Sequence, residues 1–195
     1  MGNRPTPFST NEWYHCYARG IDKRDTFIDE NDYWYFLESA HIANRVNKLS
    51  QRERRSLSSR DVWKLPTDDP LVAIGAYCLM PNHFHLLIKE TVEGGISAFM
   101  QRLGTSYAMY FNRKYSRSGG LFTSPFRSKH IPNDGYLRTV LNYIHINPLG
   151  LLSSDSEISD SVSLEHLSKY PFSSLLDYEG VERQQGVLID FIQMR

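Results

Sequence analysis

The sequence predicts an α+β sandwich, an antiparallel sheet with helices packed on it. Three observations carry this. Segments with strand and helix periodicity alternate in the order β-α-β-β-α-β-α, without internal repeats. The chain has 195 residues, 41% of them hydrophobic, which suits one domain with extensions. Two apolar runs meet at Pro81-Asn82, a turn that makes them antiparallel neighbours.

Each element follows from its pattern. Glu12 to Arg19 alternates as a strand, with Trp13, His15 and Tyr17 on one face and Tyr14, Cys16 and Ala18 on the other. Gly20 ends it. Asn31-Asp32 caps a helix expected to reach about Lys48, with Tyr35, Ile42 and Val46 at helical spacing. Residues 48–70 are polar, rich in Ser and Arg, and closed by PTDDP, so an insertion or mobile loop is expected. Leu71 to Met80 is a buried strand and His83 to Lys89 the next. After Gly94-Gly95, Ile96 to Tyr115 reads as a long helix with Phe99, Leu103, Tyr107, Tyr110 and Phe111 as its apolar stripe. Leu121 to Ile131 is a further strand, with Pro125 marking an edge or bulge. Asn133 or Asp134 caps a last helix through Leu137, Val140, Leu141 and Ile144, which Pro148 stops near Asn147. The expected division is a main domain over 1–152 and an acidic C-terminal extension over 153–195 with one or two short helices.

Composition excludes several classes. Cys16 and Cys78 are the only cysteines, too few for a disulfide framework or a four-cysteine zinc site. The opening MGNRPTPFST has no apolar run, so no signal peptide is expected. No stretch has the roughly 18 apolar residues of a membrane span. A soluble cytoplasmic protein with no membrane partner is expected. The net charge of zero conceals an asymmetry. From Ser97 to Tyr143 seven basic residues face one acid, a net of +6, while residues 153–195 carry −5. Cations interleaved with Tyr and Phe suit the phosphates and bases of single-stranded nucleic acid. The same charges also serve to solvate helix faces.

Two clusters carry candidate chemistry. In His83-Phe84-His85 the imidazoles share one strand face, about 7 Å apart, while Phe84, Leu86 and Ile88 take the other. They are half of a metal site or two solvent-facing histidines; a third ligand decides. In YIHINP, Tyr143 and Asn147 stand at i and i+4 on one helix face. Asn147 offers an amide oxygen and Tyr143 a phenol, although an Asn before Pro also serves as a helix stop and a Tyr as packing.

Together these segments resemble the HUH single-tyrosine transposases, specifically the REP-associated tyrosine transposases related to the insertion-sequence-200 group. The matching stretches are CLMPNHFHLLI (78–88), SYAMYFNRKY (106–115), GGLFTSPFRSKHI (119–131), YLRTVLNYIHINP (136–148) and YPFSSLLDY (170–178). With YHCYARG and Phe27 the likeness spans roughly residues 12 to 180. One departure is Thr123-Ser124-Pro125 before Phe126, where many relatives have a Gln and an Arg.

The resemblance implies a ferredoxin-like or RRM-like sheet acting on single-stranded or hairpin DNA. It implies a divalent metal, Mg²⁺ or Mn²⁺, on His83, His85 and Asn147. Tyr143 would be the nucleophile, forming a 5′-phosphotyrosine from which the strands are rejoined. Arg102, Arg113, Lys114, Arg127 and Lys129 are the candidate DNA contacts, expected partly on the histidine side. Tyr136, two turns before Tyr143, is the alternative nucleophile. Relatives act as monomers or homodimers. The rivals are a catalytically silent nucleic-acid-binding module and a metal-dependent nuclease using water. The acidic tail is expected to lie elsewhere or to cover the DNA surface.

Overall fold

A computed structural model describes residues 7–67, 69–152 and 159–194. Its strands are β1 (Trp13–Arg19), β2 (Val72–Met80), β3 (His83–Glu90) and β4 (Arg127–Ile131). They form one antiparallel sheet in the order β2-β3-β1-β4. Helix α1 (Glu30–Ala43) links β1 to β2, and α4 (Gly95–Lys114) links β3 to β4. That β-α-β-β-α-β order is ferredoxin-like. Helix α5 (Asp134–Ile146) follows β4.

Both faces of the sheet are covered. On one, Tyr14, Cys16, Ala18, Phe84, Leu86 and Ile88 meet the apolar sides of α1 and α4, including Phe36, Phe99, Leu103 and Tyr107. On the other, Val140 and Ile144 of α5 pack on Ala76, Cys78, Met80 and Leu87. This is why the β2 segment reads as a continuous apolar run. A register shift between Ile74 and Ala76 changes the parity of β2, so Tyr77 and Leu79 face the same core as Val72 and Ile74 while Ala76, Cys78 and Met80 face the other. Gly75 sits at that shift, where a Cβ would lie 2.9 Å from the Trp13 ring.

The boundaries differ from expectation for local reasons. Asp29, not Asn31 or Asp32, caps α1. Its Oδ1 accepts from Asp32 N at 3.2 Å, and Asp32 accepts in return from Asp29 N at 3.2 Å and Ile28 N at 2.8 Å. The helix ends at Ala43, short of Lys48, because the Asn44 amide turns to pair with both backbone groups of Val72. The 48–70 stretch, expected as an insertion or mobile loop, contains α2 (Gln51–Ser56) and α3 (Ser59–Val62), and Val62 and Trp63 are buried. Only the second half of the Leu121–Ile131 segment is strand. Helix α5 is capped by Asn133, which accepts from Tyr136 N at 2.9 Å, and Pro148 stands in a 3₁₀ turn over Asn147–Leu151.

The C-terminal extension is not a separate tail. Residues 153–158 and 195, with Asp155 and Glu157, lie outside the described residues, as does the start of the 1–152 domain, residues 1–6. Helix α6 (Asp160–Lys169) packs by the turn after α5, with His166 Nε2 3.1 Å from Pro148 O. The chain then lines the β2 edge. Leu79 N donates to Phe172 O, Tyr77 N to Ser174 Oγ, and Asp190 N to Ile74 O, each at 2.9 Å. Phe172, Leu188 and Ile189 are buried in the main core. Past α7 (Leu175–Tyr178), Arg183 grips Asp177 and reaches the Tyr77 hydroxyl at 2.9 Å. A sheet edge that would otherwise offer unpaired backbone is thereby closed.

Candidate functional site

Strand alternation puts His83, His85, Leu87 and Lys89 on the face that α5 covers. Pairing with β1 sets Tyr17 opposite His85 and Arg19 opposite His83. Pairing with β4 sets Lys129 opposite His15 and Arg127 opposite Tyr17. Leu87 continues under α5, whose buried Ile144 and Val140 seat the helix and turn the neighbouring Tyr143 toward the histidines.

The side chains converge. The Tyr143 ring lies 5.4 Å from that of His85 and 5.9 Å from that of His15, both edge-on. Asn147, one turn further on, has Oδ1 3.2 Å from His83 Nε2. The two histidine rings are 5.0 Å apart, edge to face. Tyr143 is 48% exposed, so solvent reaches the phenol. Tyr136 is half-buried against the α5 core, with the Lys129 ammonium 4.9 Å from its ring.

The hydrogen bonds fix the direction of one imidazole. The Asn82 amide N–H donates to Lys23 O at 3.2 Å, so Asn82 Oδ1 accepts from His83 Nδ1 at 2.7 Å. A neutral His83 then carries a lone pair on Nε2, facing the Asn147 carbonyl oxygen. Two acceptors 3.2 Å apart are the donor set of a cation site. His85 Nδ1 lies 2.8 Å from His15 Nε2, and its Nε2 is buried without a partner among the described residues. Two imidazoles and an amide oxygen therefore fit a divalent metal. Among the described residues no three His, Cys, Asp or Glu side chains gather as a metal cage, and Asn147 Oδ1 is the polar side-chain atom of α5 that meets His83.

Burial, helped by neighbouring charges, disfavours the charged form of all three rings. Burial, followed by the Lys129 charge, lowers His15 to about 4. Burial, then His15, His83 and Arg19, lowers His85 to about 2. Burial and Arg19 lower His83, while Asn147 raises it.

The predicted DNA contacts divide between two layers. Arg127 and Lys129 are exposed beside the histidines. The α4 cations are not on that side, because the apolar stripe of α4 buries it on the opposite face of the sheet. There Arg102 donates to the carbonyls of Ala43 and Arg45, and Lys114 is held at 2.7 Å by both Asp29 and Asp32. Arg113 is exposed on the outside of that layer. Four residues of the cluster were not predicted: His15, Tyr17, Arg19 and Asn82. The shared face of His15 and Tyr17 was legible in β1; its placement against β3 was not.

A ferredoxin-like sheet with a His-x-His pair under a helix-borne Tyr and Asn defines an α+β protein of the transposase class. The family model described as Transposase IS200 like matches residues 51–147, which hold all four residues, and the chain belongs to that family. The match takes in residues 51–70, part of the expected insertion. A solved structure described as that of the REP-associated tyrosine transposase bound to a REP hairpin has the same fold. It is 16% identical, with a TM-score of 0.55 over 95% of this chain and 90% of that one. No curated protein matches the sequence. No helix among the described residues is long and apolar enough to cross a membrane.

Proposed function

We propose that the chain cuts and rejoins single-stranded DNA through Tyr143, with His83, His85 and Asn147 holding a divalent cation, Mg²⁺ or Mn²⁺. The observation that carries this reading is the convergence of Tyr143 and Asn147, from one helix face, on the paired histidines of β3. The neighbouring transposase is described as bound to a REP hairpin, and a hairpin flanked by single strand is the substrate proposed here.

A phenol, with an ordinary pKa near 10, is a weak nucleophile at neutral pH, and a phosphodiester repels an incoming anion. When bound, the cation supplies charge neutralisation at the non-bridging oxygens of the scissile phosphate. The chain supplies the rest. Packing of Ile144 and Val140 fixes where the Tyr143 ring stands. Tyr143 Oη bonds to phosphorus as the bond from phosphorus to the 3′ oxygen breaks. The phenolic proton passes to solvent, which reaches the half-exposed Tyr143, and the 3′ oxygen takes a proton from solvent and leaves as a hydroxyl. The product is a 5′-phosphotyrosine that retains a phosphoester, so reversal by a 3′-hydroxyl reseals DNA without ATP. Arg19, Arg127 and Lys129 lie along the same sheet face and neutralise backbone phosphates.

The test is incubation of hairpin DNA carrying a single-stranded flank with Mn²⁺, read on a denaturing gel. A covalent protein–DNA band is expected from the wild type and none from Tyr143→Phe. Cleavage without a covalent band identifies a water-using nuclease instead, and binding without cleavage a silent module.

A further inference from the structure

His15 is outside the set of residues assigned so far, yet it is buried, 8% exposed, in the middle of the cluster. Its Nε2 lies 2.8 Å from His85 Nδ1, and the two rings stack at 5.0 Å with 29° between planes. A nitrogen–nitrogen contact this short needs one donor and one acceptor. If His15 donates, His85 carries its proton on Nε2. That proton is then buried with no acceptor among the described residues, where His85 Nε2 has no partner. If His85 donates, Nε2 holds a lone pair instead. His83 already follows the second pattern, with its Nδ1 engaged by Asn82 Oδ1 and its Nε2 turned to Asn147.

We propose that His15 is a positioning residue that accepts from His85 Nδ1 and so holds the His85 Nε2 lone pair ready for a cation. Asn82 does the same for His83. The two histidines of β3 are thus oriented from opposite sides, one by its preceding residue and one from the adjacent strand. The inference rests on the reading of His83, His85 and Asn147 as a cation site. An outer partner of this kind holds both the tautomer and the ring orientation of a ligand, and its loss weakens metal binding by about 10–100-fold. His15 touches neither phosphate nor nucleophile oxygen in this role; it acts through His85.

Two readouts test it, neither of them catalytic. The first is the ¹⁵N spectrum of the His85 ring in the metal-free full-length protein. A protonated Nδ1 and unprotonated Nε2 are expected; the reverse tautomer overturns the proposal without any mutation. The second is Mn²⁺ affinity by calorimetry for His15→Gln, whose amide oxygen replaces the acceptor, and His15→Phe, which fills the space without one. His15→Gln should stay within about threefold of wild type, and His15→Phe should weaken binding more than about tenfold. Equal affinities, or equal losses in both variants, reject the role for His15. His83→Ala separates the two levels. If it leaves Mn²⁺ affinity unchanged, the cation site itself is wrong and the proposal falls with it. If His83→Ala loses binding while His15→Phe keeps it, only the proposal fails.

Discussion

His83 and His85 should respond differently to truncation, although they are two residues apart on one strand face. The sequence suggests that both lie clear of any core, so that neither substitution would leave a cavity. The structure places α5 over that face, and His85 is only 5% exposed whereas His83 is partly buried, with more of its ring open to solvent. His85→Ala opens a void beneath the Tyr143 ring and strands the buried His15 nitrogen that now lies 2.8 Å from it. An unsatisfied buried polar group costs about 1–3 kcal/mol, and the void adds to that. His83→Ala gives up a bond to Asn82 worth about 0.5–1.5 kcal/mol and leaves a site that water can enter. His85→Ala should therefore be less stable than His83→Ala by about 1–2 kcal/mol by urea unfolding. In a domain of this size that is about 2–8 °C in Tm. Both variants should lose Mn²⁺ binding by calorimetry. Equal stabilities would refute the burial argument, and retained Mn²⁺ affinity in folded His83→Ala would refute the site.

Further outcomes follow from the same geometry. Tyr143→Phe should shift Tm by less than about 2 °C, since the lost oxygen is on a half-exposed ring, while cleavage disappears. Arg127→Ala and Lys129→Ala should each reduce the slope of log affinity against log salt by about 0.7 for single-stranded DNA. Arg102→Ala should instead leave that slope unchanged and lower Tm, because its guanidinium holds the carbonyls at the end of α1. Ending the chain at Leu152 should unfold the protein rather than expose a DNA surface. Phe172, Leu188 and Ile189 each contribute about 1.5–3 kcal/mol of burial, and the β2 edge would be left open. His41 is buried neutral, its pKa lowered by burial against a carbonyl contact to Leu65 that raises it. Its unfolded value is near 6.5, so its share of stability is complete above that pH and is lost as pH falls below it. Urea midpoints measured from pH 8 to pH 5 should decline on the acid side, and the decline should be smaller in a folded His41→Gln variant.

Legibility followed the range over which the physics acts. Alternation in β1 and β3, the Pro81-Asn82 turn, the apolar stripe of α4 and the cap at Asn133 are local, and the sheet and its helices could be read from them. The spacing of Tyr143 and Asn147 on one helix face and of His83 and His85 on one strand face is local too. That the two faces meet depends on Ile144 and Val140 packing over Leu87, which no local pattern encodes. The same limit explains why the sequence does not say which of the cations share the histidine side. A count of +6 between Ser97 and Tyr143 does not say that α4 and β4 present their charges in different layers. Acidic composition likewise suggested a detached tail, while the residues that anchor it, Phe172, Ser174 and Ile189, are matched to partners about 95 to 115 positions earlier. His15 was visible on its strand face, but its partner lies 70 residues away.

The central claim is that Tyr143 is the residue that becomes joined to DNA. It is tested most directly by trapping the adduct on a single-stranded hairpin substrate with Mn²⁺, digesting the protein and mapping the modified peptide by mass spectrometry. The account predicts one nucleotide-bearing peptide, from the α5 segment, modified at Tyr143 through a 5′ phosphate. An adduct on Tyr136, a 3′ linkage, or efficient cleavage with no adduct would contradict it.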